Sequence, residues 1–179
     1  MDKLKYYRGF IFYRCPITPT IEEFITTAKK ENKTVFFDID DLVIDKKYTK
    51  TIKYLETMSK EEKNLYDDGV ERMQKTLRMC DYAITTTERL AEELKNYVSE
   101  VYINRNETMV ELSESARKNK QSHDDVIIGY LSGSITHNPD IEYVKPALIK
   151  IMNKYKNTKL KLVGEIELPD DLKEFQDRI

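Results

Sequence analysis

The segment that decides the expected fold is Asp125–Asp140, which reads DVIIGYLSGSITHNPD. Its apolar start at residues 126–128 predicts a strand, the small polar residues Ser132–Ser134 predict a loop, and a helical pattern follows. A strand that passes through a glycine-containing loop into a helix leaves backbone N–H groups free, and such groups bind phosphate well. A plain turn between strand and helix fits the segment equally well, because the dinucleotide fingerprint GxGxxG is absent.

The candidate ligands of a phosphate group in this loop are Ser132, Gly133, Ser134 and His137. The imidazole of His137 either contacts a phosphate or holds the loop by bonding Asp140, and the second role is favoured. The other histidine, His123, lies in a charged stretch and is expected to be solvated. Because neither histidine has a neighbouring cysteine or HExxH spacing, no metal site is predicted.

Upstream, the pattern predicts a strand–helix–strand unit. The run Gly9–Arg14, GFIFYR, is the first strand, and the run Thr34–Ile39, TVFFDI, is the second. Between them, Thr20 and Glu23 have the spacing of a capping box that opens a helix. Because the apolar residues of both strands do not alternate with polar ones, both strands are expected to be covered on both faces, as in parallel sheets.

The rest of the chain continues the alternation of strands and helices. The expected elements are a helix capped by Ser59 and Glu62, a strand at Tyr82–Thr85, a helix after Thr87, a strand at Val101–Asn104, a strand at Leu160–Gly164 and a helical segment from Leu168 to Ile179. A helix also follows the Gly/Ser loop, and Pro146 is expected in its first turn, because proline disrupts a helix interior. The polar stretch Arg105–Asp124 is the expected linker, which gives domains at residues 1–122 and 123–179.

Composition limits the classes of function. The chain has 179 residues, of which 40% are apolar, so it can bury about 70% of its unfolded surface. Thirty basic and thirty-two acidic residues leave a net charge of -2 without a basic block, so nucleic acid is not an expected partner. Cys15 and Cys80 stand alone, as in a reducing compartment, and no apolar run is long enough to span a membrane. A cytoplasmic location is expected.

Three acidic residues follow the second strand: Asp38, Asp40 and Asp41. Ligands of open parallel sheets bind at the carboxyl ends of strands, so these residues are the candidate catalytic groups. Their mutual repulsion must be offset by water, a cation or a hydrogen-bonding ligand. Arg14, at the end of the first strand, either faces this cluster and balances its charge or forms an ordinary surface ion pair.

Two enzyme families resemble the sequence around these aspartates. FFDIDDLVID at residues 36–45 resembles the nucleophile motif of haloacid dehalogenase-type phosphatases, which implies Asp38 as nucleophile, Asp40 as acid/base and a bridging magnesium ion. Leu42 stands where that family has threonine, and Thr85 or Thr86 would supply its second motif.

The order of segments from Arg8 to Gly164 resembles retaining glycosyltransferases of the GT-B fold, particularly those of bacterial cell-surface polysaccharide assembly. The resemblance is carried by FFDIDDLVID, CDYAITTTERLAEEL, VYINRNETM and residues 128–164. It implies an α/β fold of Rossmann-like βα units with parallel sheets in two facing domains. It also implies sugar transfer from a nucleoside diphosphate donor to a glycan or lipid-linked acceptor, without a cofactor or obligatory metal.

The resemblance implies further that both domains are incomplete. Two complete domains need roughly twice this length, and the family's E-x7-E element would lie beyond Ile179. A fragment or truncated homologue is therefore expected, with self-association through incomplete domain edges. A catalytically inactive module that binds a partner glycosyltransferase is the third interpretation.

Overall fold

The computed structural model describes residues 2–50, 52–118, 124–133 and 138–179. The chain divides into two compact units, Met1–Thr108 and Met109–Ile179. This division lies within the polar stretch 105–124 that the sequence marks as a linker. Each unit has its own hydrophobic core, and the two cores share no residue.

The first unit is built on a four-stranded parallel sheet. Its strands are β1 (Gly9–Tyr13), β2 (Thr34–Asp38), β3 (Tyr82–Thr85) and β4 (Val101–Ile103), hydrogen-bonded in the order β1-β2-β3-β4. All three pairings are parallel, so the predicted mixed α/β fold with parallel strands is confirmed. Because neighbours in the sheet are also neighbours in sequence, the order does not reverse among these four strands.

The helices of this unit are α1 (Pro19–Lys30), α2 (Lys46–Thr49), α3 (Lys60–Met79) and α4 (Glu88–Leu94), with short 3₁₀ turns at Asp2–Lys5 and Lys53–Glu56. The capping box of Ser59 and Glu62 at the start of α3 is confirmed. The predicted cap at Thr20 is wrong, because α1 begins with Pro19 and the hydroxyl of Thr18 accepts from the N–H of Ile21 at 3.3 Å. Proline suits a first helical position, since its φ is already helical.

Within the described residues of the first unit, helices cover one face of the β1–β4 sheet. Val35 and Phe37 of β2 and Ala83 of β3 are fully buried beneath the helices. The alternate residues point the other way, where Ile11 and Tyr13 of β1 are 61% and 59% exposed. The expectation that β1 is covered on both faces is therefore wrong. When each new parallel strand is added at the same edge of a sheet, right-handed crossovers place all the connecting helices on one face of that sheet. The order β1-β2-β3-β4 is of this kind.

The second unit contains α5 (Val110–Lys118), β5 (Val126–Leu131), α6 (Asn138–Lys154), β6 (Thr158–Val163) and a 3₁₀ segment, Asp170–Arg178. β5 and β6 form a parallel pair. The core lies between this pair, α6 and the 3₁₀ segment, and its buried members are Ile141, Leu148, Met152, Leu160, Leu172 and Phe175. The strand and the helix predicted around residues 125–140 are thus confirmed as β5 and α6, and residues 134–137 between them lie outside the described residues.

Pro146 lies in the interior of α6 and not in its first turn, so the predicted helix start is wrong. The helix begins eight residues earlier, at Asn138, because its first half is anchored by tertiary contacts. Ile141 is 1% exposed in the core, and the ammonium group of Lys145 lies 2.9 Å from the carboxylate of Asp171. Burial of one face overrides the local preference against an interior proline.

No helix in the described parts of the chain is both long enough and apolar enough to cross a bilayer.

Candidate functional site

The aspartates that follow β2 are bound by Arg14, which directly follows β1. Nε and Nη2 of Arg14 lie 2.7 and 2.6 Å from Oδ1 of Asp40, and Nη2 lies 2.7 Å from Oδ2 of Asp41. The hydroxyl of Tyr13 also donates to Oδ1 of Asp40, at 3.3 Å. Of the two roles considered for Arg14, the structure therefore supports charge balance within the cluster. The guanidinium group is the cation that offsets the carboxylate repulsion.

The parallel pairing of β1 and β2 explains this placement. Tyr13 lies in register with Asp38, and the N–H of Arg14 donates to the carbonyl of Asp38 at 3.0 Å. Arg14 has a φ of 42°, in the left-handed region that a residue with a side chain seldom adopts. Such backbone strain persists only where surrounding contacts enforce it, and it is concentrated at functional sites. The strained backbone turns the guanidinium group toward Asp40 and Asp41.

The pKa values of Asp38 and Asp40 are shifted in opposite directions. Burial alone would raise the pKa of Asp40, but the hydrogen bond and charge of Arg14 hold it below its usual value. The pKa of Asp38 is raised, first by burial and second by the negative charge of Asp40. Among the described residues, no side chain bonds to the carboxylate of Asp38. This carboxylate is therefore the group of the cluster that remains available to a ligand.

Asp38 belongs to the uncovered face of the sheet. Strand register places it in one row with Tyr13, Ile84 and Tyr102. Tyr13 is 59% and Tyr102 is 46% exposed, so aromatic surface flanks the carboxylate. In the adjacent row the rings of Phe36 and Tyr82 are in contact, with centroids 5.4 Å apart. A ligand at Asp38 would meet an open, largely aromatic surface and not an enclosed pocket.

Thr85 ends β3 on the opposite, buried face. Its hydroxyl is fully buried and has no hydrogen-bond partner among the described residues. A buried polar group left without a partner costs about 1–3 kcal/mol, so its presence at the carboxyl end of the sheet calls for an explanation. Thr87, two residues later, caps α4, as its helix-opening position predicted.

The phosphate-binding loop predicted in the second unit starts at Ser132. The N–H of Ser132 donates to the carbonyl of Val163 at 2.8 Å, which extends the β5–β6 pairing by one bond. No atom of the described residues lies within 4 Å of a Cβ placed on Gly133, so within the described part of the chain the space beside this glycine is open. Ser134 and His137 lie outside the described residues, as does His123. α6 begins at Asn138, immediately after them.

Gly164 contacts the same loop from β6, a feature that the sequence analysis missed. It has a φ of 109°, and a Cβ at this position would lie 2.0 Å from the carbonyl oxygen of Ser132. Only glycine fits both the backbone conformation and this close approach. Its place as the last residue of the predicted strand Leu160–Gly164 was the available signal. The role of Tyr13 was missed too, because its partner Asp40 is 27 positions away.

The two thiols are not reactive groups. Burial raises the pKa of Cys80 to about 12 and also raises the pKa of Cys15. A thiol that stays protonated at neutral pH is a poor nucleophile and a poor metal ligand. Within residues 2–50, 52–118, 124–133 and 138–179, no three His, Cys, Asp or Glu side chains are grouped so that they could hold a metal ion.

No protein-family model matches the chain, and no curated protein is significantly similar to it. The two family resemblances drawn from the sequence motifs therefore stay predictions.

Proposed function

We propose that this chain is a glycosyltransferase, or part of one, that moves a sugar from a nucleoside diphosphate donor to a glycan or lipid-linked acceptor. In this proposal the first unit belongs to an acceptor domain and the second to a donor domain, both Rossmann-like, in a cytoplasmic enzyme of GT-B type. Cell-surface polysaccharide synthesis is the proposed context. No cofactor or obligatory metal takes part.

The observation that supports the proposal best is the junction between β5 and α6. Gly133, where a Cβ would meet no atom of the described residues, lies between the end of the parallel strand β5 and the start of the 17-residue helix α6. The N-terminal end of such a helix carries unpaired N–H groups and a partial positive charge. These groups would stabilise the negative charge that develops on a diphosphate as it leaves the sugar.

The aspartate cluster supplies the polar groups expected on the acceptor side. No described side chain bonds to Asp38, and the pKa of this carboxylate is raised, so it is suited to accept a hydrogen bond from a sugar hydroxyl. Asp40 and Asp41 are held by Arg14 and fix the position of that cation. Exposed rings at Tyr13 and Tyr102 add apolar surface against which a sugar ring can pack.

Calorimetric titration of the full chain with UDP, GDP, ADP and TDP tests the donor half of the proposal. One nucleotide should bind more tightly than the others, and Gly133→Val should weaken its binding at least about tenfold, or about 1.4 kcal/mol. The open space beside Gly133 means that this variant blocks the loop without disturbing the described core. Gly69→Ala, also at an open glycine but within α3, is the matched control and should bind normally.

Absence of nucleotide binding by the wild-type chain, or equal binding by Gly133→Val, would reject the proposed donor site.

A magnesium-dependent phosphatase is the second candidate function, and it is favoured by the carboxylate of Asp38, to which no described side chain bonds. Thr85, which directly follows Ile84, the register partner of Asp38, lies on the opposite, buried face of the sheet and therefore adds no group beside Asp38. Against this candidate, Asp40 is already held by Arg14, so a magnesium ion would have to displace a guanidinium group. The phosphatase proposal predicts magnesium-dependent release of phosphate from an aryl phosphate, abolished by Asp38→Asn. A chain that releases no phosphate with magnesium present excludes it.

A further inference from the structure

The positions of Asp40 and Asp41 depend on the path that the chain takes after β2. We propose that Asp45 is a positioning residue for these two carboxylates, because it fixes the segment that carries them against α3 and against the chain after α4. The proposal concerns the first unit alone and does not depend on the proposed sugar transfer.

Residues 40–43 form a short connection between two buried anchors. Ile39 precedes this connection and Ile44 follows it, and both side chains are fully buried. The N–H of Ile39 donates to a carbonyl of β3 at 3.0 Å, so the first anchor continues the sheet. At the second anchor, the side-chain amide of Gln74 on α3 donates to the carbonyl of Ile44 at 3.0 Å. The path of the connection is therefore set by how firmly both anchors are held.

Asp45 directly follows the second anchor and accepts hydrogen bonds from three parts of the first unit. Its Oδ1 accepts from the N–H of Lys47 at 2.9 Å, which caps α2. Its Oδ2 accepts from the hydroxyl of Tyr97, beyond the end of α4, at 2.8 Å and from the amide of Gln74 at 3.3 Å. These bonds, the Lys47 N–H first, lower the pKa of Asp45. Bonds to an ionised carboxylate are stronger than bonds between neutral groups, so Asp45 holds its three partners firmly.

Tyr97 is a fixed partner for this carboxylate. Its ring centroid lies 4.8 Å from Cζ of Arg78 on α3 and 5.8 Å from Nζ of Lys47. Cations at such distances are attracted to an aromatic ring. Burial first, and then the bond to Asp45, raise the pKa of Tyr97, so its hydroxyl stays protonated at neutral pH and donates to Asp45.

The ion pairs of Arg14 do not hold Asp40 and Asp41 in place by themselves. The side chains of Arg14 and Asp41 are 36% and 62% exposed, and ion pairs at such sites contribute little, because water screens them. The φ of 42° at Arg14 adds backbone strain on the same side. A strained and weakly paired arrangement persists only where the surrounding chain is fixed. Asp45 fixes the chain on the side of the two aspartates.

Hydrogen exchange at Arg14 tests this role at neutral pH. The Nε–H proton of Arg14 reports the arrangement directly, because it bonds to Oδ1 of Asp40 at 2.7 Å. We expect Asp45→Ala to speed the exchange of this proton with solvent at least about tenfold, as measured by NMR on the full chain.

Asp81→Ala is the matched control for this experiment. Asp81 also accepts a backbone N–H, that of Val35 at 2.9 Å, and it also pairs with a lysine. It directly precedes β3 and therefore lies at the amino end of the sheet, away from Arg14. Its loss should destabilise the first unit too, but it should leave the exchange of the Arg14 proton unchanged.

The titration of Asp40, followed by carbon-13 NMR of its carboxyl group, separates position from charge. Removal of the negative charge of Asp45 would by itself lower the pKa of Asp40. Loss of position weakens the bond from Arg14 and raises that pKa, so the acid dissociation constant of Asp40 should fall at least about twofold in Asp45→Ala. Tyr97→Phe removes one bond and no charge, and it should change the exchange rate and the dissociation constant in the same directions.

Tyr97→Phe carries both measurements if Asp45→Ala does not fold. The proposal is overturned if the variant leaves either the exchange rate or the dissociation constant unchanged, if the dissociation constant rises, or if Asp81→Ala has the same effects.

Discussion

Neighbouring aspartates of the same motif have opposite electrostatics in the folded chain. Asp40 is held by Arg14 and has a lowered pKa, whereas Asp38 is bonded by no side chain of the described residues and has a raised pKa. Asp40 therefore stabilises the fold at neutral pH, and Asp38 destabilises it. A residue that reduces stability is typical of a functional position, because binding sites keep polar groups available to their ligands.

The paired variants Asp38→Asn and Asp40→Asn test this difference. The raised pKa of Asp38 means that the folded chain favours the protonated form of this carboxyl group. Its contribution to the free energy of unfolding is therefore fully present below pH 3.8 and is lost as the pH rises through the folded-state pKa. Asp38→Asn should therefore raise the free energy of unfolding at pH 7, by less than about 1 kcal/mol. The gain should disappear in acid. Chemical denaturation of the full chain across pH measures both effects.

Asp40→Asn should do the opposite. Because the pKa of Asp40 is lowered, its ionised carboxylate stabilises the folded chain above pH 3.8. This stabilisation is lost as the pH falls through the folded-state pKa. Loss of the bond to Arg14 should cost about 1 kcal/mol at pH 7, as is usual for a partly exposed ion pair. If both variants shift stability in the same direction at pH 7, the assignment of opposite roles is wrong.

At the scale of elements, α6 contains an unfavourable residue at its centre. Pro146 has no N–H for the carbonyl of Glu142, one turn earlier, and its ring crowds that carbonyl. The helix continues through this point because Ile141 is buried before it and Leu148 and Met152 are buried after it. The end of the same helix is secured by Arg178, whose Nη1 donates to the carbonyl of Met152 at 2.9 Å and to that of Thr158 at 3.3 Å.

Pro146→Ala should therefore stabilise the second unit. A proline inside a helix lowers the free energy of unfolding by about 3 kcal/mol, whereas its restriction of the unfolded chain raises it by up to about 1 kcal/mol. The variant should therefore raise the free energy of unfolding by about 2 kcal/mol. Thermal unfolding measured by circular dichroism gives the value. Lys150→Ala, an exposed position one turn later, is the control and should change stability by less than about 0.5 kcal/mol. An unchanged melting temperature for Pro146→Ala would contradict an uninterrupted α6.

At the scale of the whole molecule, two separate cores replace the single core that a chain of this length can form. The core of the first unit includes the buried residues Val35, Phe37 and Leu77, and the core of the second unit includes Leu148 and Met152. The second unit has only a two-stranded sheet, which contributes little stability by itself. Its unfolding is therefore expected to begin at the lower temperature.

Scanning calorimetry of the full chain should show two transitions. Pro146→Ala should move only the lower one upward. Gly69→Ala replaces a glycine at an open site in the interior of α3. It should raise only the higher transition temperature, by the amount that corresponds to a stabilisation of about 0.5–1 kcal/mol. A single transition that both variants shift equally would show that the units unfold together.

The local pattern of the sequence determined the type and order of the main elements. Capping residues, glycines and apolar periodicity are properties of a few consecutive residues, so α3 with its Ser59–Glu62 box and the strand at Tyr82–Thr85 were predicted at their observed positions. The carboxylate cluster at the end of β2 was also predicted. The candidate loop at Gly133 follows its strand as expected.

Only the tertiary structure decided which surfaces are covered and which distant groups meet. The unbroken apolar runs of β1 and β5 do not reveal that one face stays exposed, because coverage depends on helices elsewhere in the chain. Arg14 reaches Asp40 through strand pairing across 26 positions, and Gly164 meets Ser132 in the same way. Because Ile141 is buried, α6 begins at Asn138 and not near Pro146, where the sequence predicted its start. Contacts between residues far apart in sequence leave no local pattern, so the fold alone shows them.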